Sequence, residues 1–287
     1  MPKITVLNFL SLVKFSHTIF ALPFAIVGYF TAIKITGNAF DFPLFIKVIL
    51  CMVFARNAAM AFNRYADRNF DKINPRTFVR EIPAGVISAN AALIFVVLNV
   101  ALFILTSKFI NDLCFYLSPV AILVILGYSL TKRFTALCHF VLGVGLSLAP
   151  LGAFLAVTGY FSLVPLLFSI SILFWVGGFD IIYALQDDEF DKSHRLKSIP
   201  VLLGRKGALT LSRVIHTISS FVLLIPGLLM ESTIFYFMGW ALFSALLAYQ
   251  HSLVKSNDLS KVNLAFFTTN GIASVVFLSF YLIDYFS

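Results

Sequence analysis

The sequence predicts an all-α fold, a polytopic membrane bundle built as one domain over residues 1–287. Apolar residues make up 60% of the chain and charged residues 12%, against about 45–50% and about 25% in a soluble domain. Mean hydropathy is +0.96, and 33 of the 287 residues are Phe, more apolar surface than one water-soluble core can hide. The apolar residues fall in runs of about 20, the length that about 30 Å of hydrocarbon demands of a helix rising about 1.5 Å per residue.

That ruler places nine transmembrane helices, at 15–34, 42–62, 89–107, 112–131, 134–157, 162–183, 209–229, 233–253 and 263–283. The first follows Met-Pro-Lys with no small-residue cleavage site behind it, so it is expected to stay in the chain as a span. The second carries one charge, Arg56, which is costly in hydrocarbon and marks a site or pathway. Pro119, Pro150, Pro165 and Pro226 fall in the fourth to seventh spans, where neighbouring helices can satisfy the freed carbonyls. Cys51, Cys114 and Cys138 lie in apolar sequence without metal-ligand spacing and read as core thiols.

Nine spans put the termini on opposite sides. Of the 21 Lys and Arg, all but Lys34, Lys47, Lys108 and Arg56 gather on the side of the N-terminus and of the loops after spans 2, 4, 6 and 8. The positive-inside rule makes that side cytoplasmic, in the cell inner membrane. The net charge of +8 is therefore mostly topology, and no basic face interleaved with aromatic residues points to nucleic acid.

Eight of the 13 acidic residues cluster in two cytoplasmic cap loops: Asp67, Asp71 and Glu81 after span 2, then Asp180, Asp187, Asp188, Glu189 and Asp191 at the end of span 6. Asn63, Asp67 and Asp71 recur every four residues, as do Tyr183, Asp187 and Asp191, so each trio lies along one helix face. Stacked carboxylates repel unless a cation lies between them. Hard oxygen donors without His or Cys suit Mg²⁺, which keeps several waters and is completed by substrate phosphates. Arg64, Arg68, Lys72, Arg76 and Arg80 surround the first group and Lys192, Arg195 and Lys197 the second, where cations can hold the remaining phosphate oxygens. A diphosphate entering beside lipid is most simply one attached to a lipid, and polyprenyl diphosphates are the common class.

At these residues the sequence resembles the UbiA superfamily of intramembrane prenyltransferases, marked by NDxxDxxxD after the second helix and DxxxD after the sixth. The first motif stands here as Asn63-Arg64-Tyr65-Ala66-Asp67-Arg68-Asn69-Phe70-Asp71, followed by NPRT and REIPAG, and the second as Asp187-Asp188-Glu189-Phe190-Asp191. GYSLTKRFT at 127–135 looks like the family's YxxTKRF segment, and HTIFALPFA at 17–25 like its first-helix signature. The resemblance runs from about residue 11 to 206. Arg64 departs from it by standing where the usual motif has Asp.

What the resemblance implies is Mg²⁺-dependent transfer of a polyprenyl group from polyprenyl diphosphate to a small aromatic acid in the lipid bilayer, for quinone synthesis. The form of the motifs looks like the branch of 4-hydroxybenzoate and futalosine-route 1,4-dihydroxy-6-naphthoate prenyltransferases. Asp67, Asp71, Asp187 and Asp191 are then the expected catalytic carboxylates, joined by Asn63 and Asp188 as metal ligands. Lys132, Arg133, Lys197 and Arg76 or Arg80 are expected to meet the leaving diphosphate. Tyr128, Tyr183, Asp180 and His17 are expected near substrate, and Arg56 to receive the acceptor's carboxylate. His139, His216 and His251 show no partner spacing and read as packing residues. The Phe-rich composition suggests an aromatic channel for the tail.

Three other classes fit the same residues less well. DDEFD fits the DDxxD of soluble prenyl-chain synthases, but nine lipid spans oppose that. An ion-coupled transporter would favour a midplane site, whereas these acids gather at one mouth. The Asp-Gly-Ala-Arg pattern of CDP-alcohol phosphotransferases is missing.

Overall fold

The computed structural model describes residues 6–14 and 20–287. They form α1 (Val6–Leu12), α2 (Leu22–Thr36), α3 (Phe42–Ala66), α4 (Arg68–Ile73), α5 (Ala89–Lys108), α6 (Asp112–Thr131), α7 (Cys138–Thr158) and α8 (Leu163–Ala184). A single 3₁₀ turn leads into α9 (Asp188–Ser193), followed by α10 (Ile199–Leu229), α11 (Ile234–Leu253) and α12 (Asn270–Phe286), the last entered through a π-helical turn. Among the described residues the only extended pairing is an isolated bridge between Lys255 and Asp258.

Each predicted segment contains a helix, and several begin where a polar side chain caps the first turn. Asp41, Ser88, Asn111 and Ser198 accept from the backbone N–H of Leu44, Ala91, Cys114 and Val201 at 3.0, 3.2, 2.8 and 3.4 Å, satisfying donors that have no partner within the helix. Among the described residues seven helices are long and apolar enough to cross a membrane; α2, with 15 residues, and α11 are not among them. The largest boundary difference is at α10, expected from residue 209 and observed from Ile199. Gly204, at φ 67° and ψ 169°, breaks the first turn, Ile199–Leu203, from the rest, a conformation glycine adopts without a Cβ penalty.

The packing is a closed ring in the order α2, α3, α5, α6, α7, α8, α10, α11, α12 and back to α2. In addition α2 crosses the ring to pack along α7, close enough that a Cβ on Gly28 would collide with the backbone of Pro150. That seam divides the interior. On the α8–α10–α11–α12 side, Phe24, Phe168, Trp175, Phe179, Tyr236, Phe243, Phe277 and Tyr281 fill the space. On the α3–α5–α6 side, small residues such as Ala55, Ala59, Ala121, Gly145, Ala149 and Gly152 line an apolar cavity of about 340 Å³. Among the described residues Phe103, Phe161 and Tyr128 are that cavity's only aromatic lining, so it is not itself the expected aromatic channel: Phe side chains pack the other half or stand on the outer surface, where Phe109, Phe134 and Phe221 are exposed.

Candidate active site

The two acidic motifs meet at one mouth of the ring. The turn from α3 into α4 keeps helical hydrogen bonding through the junction, with Asp67 N–H donating to Asn63 O at 3.0 Å and Asp71 N–H to Asp67 O at 2.8 Å. The four-residue spacing therefore survives as a shared direction. Asn63, Asp67 and Asp71 line a polar cavity of about 260 Å³, and Tyr183, Asp187 and Asp191 line its opposite wall. Asp180, Lys132, Arg133, Arg76, Arg80, Arg56 and Tyr128 line it too.

Cations pair each of the four motif carboxylates, Asp67, Asp71, Asp187 and Asp191. Arg76 bonds both oxygens of Asp187, its Nε at 2.9 Å from Oδ1, and donates to the Tyr183 hydroxyl at 3.0 Å. Arg80 lies 2.7 Å from Asp71 Oδ1, Lys132 Nζ 2.7 Å from Asp191 Oδ1, and Arg133 3.3 Å from Asp67 Oδ1. Burial alone would raise the Asp187 carboxyl, but the Arg76 hydrogen bonds and charge outweigh it and hold the group below the usual range. At Asp67 burial prevails, with the neighbouring Asp71 charge, and pushes the carboxyl up. Burial likewise raises Asp191 despite Lys132. Burial would lower the Lys132 ammonium, yet the Asp191 charge overcomes it and keeps the ammonium charged.

Among the described residues no three His, Cys, Asp or Glu side chains form a ready-made metal cage. The donor set nevertheless fits Mg²⁺, which takes one or two carboxylates plus substrate phosphates. Asp71 Oδ2 is buried without a hydrogen-bond partner, an acceptor that a cation would satisfy.

Three expected positions fall elsewhere. Asp188 turns away from the cavity and is gripped by Arg205, Nε to Oδ2 at 2.6 Å and a second bond at 2.9 Å, since it opens α9 one residue past the inward-facing Asp187. Lys197 is exposed outside the cavity; only its backbone joins the site, N–H to Lys132 O at 2.8 Å. His17 lies outside the described residues. The structure also brings in Asn74, which donates to Asp187 Oδ1 at 3.1 Å, along with Thr77 and His139. Asn74 and Thr77 stand in the NPRT segment beside the first motif. No sequence signal ties His139 to the site, because its partner is 41 residues away.

At its inner end the polar cavity meets the apolar one: Arg56, Tyr128, Leu142 and Leu146 line both. Arg56 Nε is buried without a hydrogen-bond partner.

The chain matches the UbiA prenyltransferase family over residues 21–275. It belongs to that family. Curated relatives include a 4-hydroxybenzoate octaprenyltransferase of Vesicomyosocius okutanii, 30% identical over 83% of this chain and 87% of the relative. Another, of Tolumonas auensis, is 31% identical over 77% of each. Among solved structures, the apo UbiA homologue of Aeropyrum pernix superposes with a TM-score of 0.84 at 30% identity, covering 93% of this chain and 98% of that one. A UbiA homologue of Archaeoglobus fulgidus bound to DMAPP and Mg²⁺ shares the fold at a TM-score of 0.71 and 22% identity, over 96% and 98% of the chains. Membership makes the chain an integral membrane prenyltransferase and sets the transporter reading aside.

Proposed function

We propose that this prenyltransferase joins a polyprenyl group from its diphosphate to a small aromatic acid of the 4-hydroxybenzoate type, with Mg²⁺, in quinone synthesis. One observation carries the proposal: a mouth of paired carboxylates and cations opens, at Arg56 and Tyr128, into an apolar cavity. That is a diphosphate head joined to a hydrocarbon tail. The curated relatives' names supply the acceptor. In this reading all nine predicted segments span the inner membrane, and the excess of Lys and Arg on the mouth's side makes that mouth cytoplasmic.

Asp67, Asp71, Asp187 and Asp191, with the Asn63 carbonyl, would hold the metal. Bound there, Mg²⁺ would neutralise the diphosphate and stabilise charge on the departing oxygen. Arg76, Arg80, Lys132 and Arg133 now sit on those carboxylates and would transfer hydrogen bonds to phosphate oxygens, the geometry Arg is suited to. Arg56, at the junction of the cavities and without an acidic partner, would receive the acceptor's carboxylate and aim its ring at the allylic carbon. The apolar cavity would take the tail and exclude water from the cation.

Membranes containing the protein should transfer label from polyprenyl diphosphate to 4-hydroxybenzoate. Asp67→Asn and Asp191→Asn should each remove that activity, as should EDTA. Full activity in both variants or with EDTA present would overturn the proposal. Product only with 1,4-dihydroxy-6-naphthoate would move the acceptor to the bicyclic acid.

A further inference from the structure

Asp180 differs from every other carboxylate that lines the polar cavity. It stands on α8 seven residues before Asp187, about 10 Å deeper at about 1.5 Å per residue, at the level where the polar cavity narrows toward Arg56 and Tyr128. Asp67, Asp71, Asp187 and Asp191 are each paired to an Arg or Lys. Asp180 instead bonds His139 Nδ1, Oδ2 to nitrogen at 2.7 Å.

The other imidazole nitrogen decides what that bond is. The backbone N–H of Ile199 donates to His139 Nε2 at 3.2 Å. With that N–H directed at it Nε2 serves as an acceptor, which leaves Nδ1 to carry the proton that it donates to Asp180. Ile199 opens α10, and its N–H is one of the donors a helix start leaves over. Three helices thus lock one tautomer: α7 carries His139, α8 carries Asp180 and α10 supplies the donor. His139 is 2% exposed while Asp180 keeps 23%, toward the cavity. Asp180 is left as an oriented carboxylate with no Lys or Arg on it, and its Oδ1 has no hydrogen bond among the described residues. Tyr128 lies within electrostatic reach of Arg56, Asp67 and Asp180, so the polar cavity beside it offers a cation and, in Asp180, a carboxylate that no Lys or Arg holds.

We infer that Asp180 is the base that removes the ring proton during prenyl transfer, with His139 as its positioning residue. The inference rests on the proposed aromatic acceptor. The allylic C1–O bond breaks and its electron pair leaves with the diphosphate. A ring carbon beside the phenol hydroxyl uses a π pair to bond C1, leaving a cationic ring that still carries its hydrogen. Asp180 Oδ1 takes that hydrogen as a proton, the C–H pair restores aromaticity, and Asp180, now neutral, passes the proton outward to water at the mouth. The motif carboxylates serve this step poorly, because each already holds an Arg or Lys and, in the proposed function, would hold the metal.

The test compares wild type with Asp180→Asn and His139→Asn in membranes, using 4-hydroxybenzoate and the same acid deuterated beside its hydroxyl. General-base loss should lower kcat about 10²–10³-fold in Asp180→Asn, leave the donor KM unchanged, and make the variant slower with deuterated acceptor while wild type is indifferent. His139→Asn keeps an N–H donor for Asp180 and should fall between the two, whereas His139→Ala should approach Asp180→Asn. If Asp180→Asn does not accumulate, Asp180→Glu carries the test, retaining activity and acquiring the isotope effect. Unchanged kcat, no isotope effect in the impaired variant, or a donor KM that rises as kcat falls would overturn the inference. A wild type that makes no product from 4-hydroxybenzoate would instead sink the proposed acceptor.

Discussion

On one side of the α2–α7 seam the space between helices is filled by Trp175 and the rings around it, with Phe24, Phe179 and Phe243 centred 5.3, 5.2 and 5.5 Å away. On the other, alanines and glycines leave about 340 Å³ open. At about 24 cal/mol per Å³, a dry void of that size would cost on the order of 8 kcal/mol, comparable to the about 5–15 kcal/mol of a whole domain's stability. A hollow half of that size is tolerable where hydrocarbon, from lipid or from substrate, can fill it. Its far end supports this, since the lining residues Val120 and Phe161 are 55% and 59% exposed. The filled half is the rigid wall against which the site is held, and α8 runs between that packing and the site: Trp175 and Phe179 face the aromatic cluster, while Asp180, Tyr183 and Asp187 line the polar cavity.

The comparison breaks most readily at Trp175, which is fully buried and donates to Asn270 Oδ1 at 2.9 Å. Trp175→Ala should cost about 3–5 kcal/mol, read as a lower midpoint of thermal inactivation in detergent, with activity lost because the protein unfolds. Arg56 tests the junction. Arg56→Ala should raise the acceptor KM by about 10- to 100-fold, the equivalent of a charged hydrogen bond of about 1.5–3 kcal/mol, with the donor KM unchanged. An equal rise in both constants would remove Arg56 from acceptor binding.

The same division explains what could be read from the sequence. Spans were legible because a run of about 20 apolar residues is a local property, and α3, α5, α6, α8 and α11 lie within a few residues of their predicted bounds. The i, i+4 motif carboxylates were legible because helix periodicity sets their direction, although Asp188, one residue out of phase, faces Arg205 instead. Partnerships between helices were not legible. His139 read as a packing residue, yet it bonds Asp180 across 41 positions, and His216 and His251, 35 apart, meet at 3.0 Å. Nor does a count of Phe say which half of a ring they fill; Ala and Gly, the least conspicuous residues, define the cavity.

Filling the hollow half should alter chemistry rather than stability. Ala121, on α6, lines the apolar cavity and not the polar one. Ala121→Phe should cost less than the about 1–3 kcal/mol of overpacking a filled core, because open space receives the ring. It should lower kcat/KM for a long polyprenyl donor at least about tenfold, about 1.4 kcal/mol, while a one- or two-unit donor reacts as before. Equal losses for short and long donors would mean that the tail lies elsewhere.

The smallest effect is expected at Asp188, and it separates the site from the surface beside it. Asp188 and Arg205 form a bidentate pair whose side chains are 15% and 34% exposed. A half-buried surface pair of this kind contributes on the order of 1 kcal/mol, and it lies outside the polar cavity. Asp188→Asn should therefore leave both the rate and the Mg²⁺ concentration for half-maximal activity unchanged, in the same assay where Asp187→Asn raises the latter sharply. A shift of the Mg²⁺ requirement in Asp188→Asn would mean that the 3₁₀ turn at Leu185–Asp187 rewinds when substrate binds, bringing Asp188 inward and releasing Arg205.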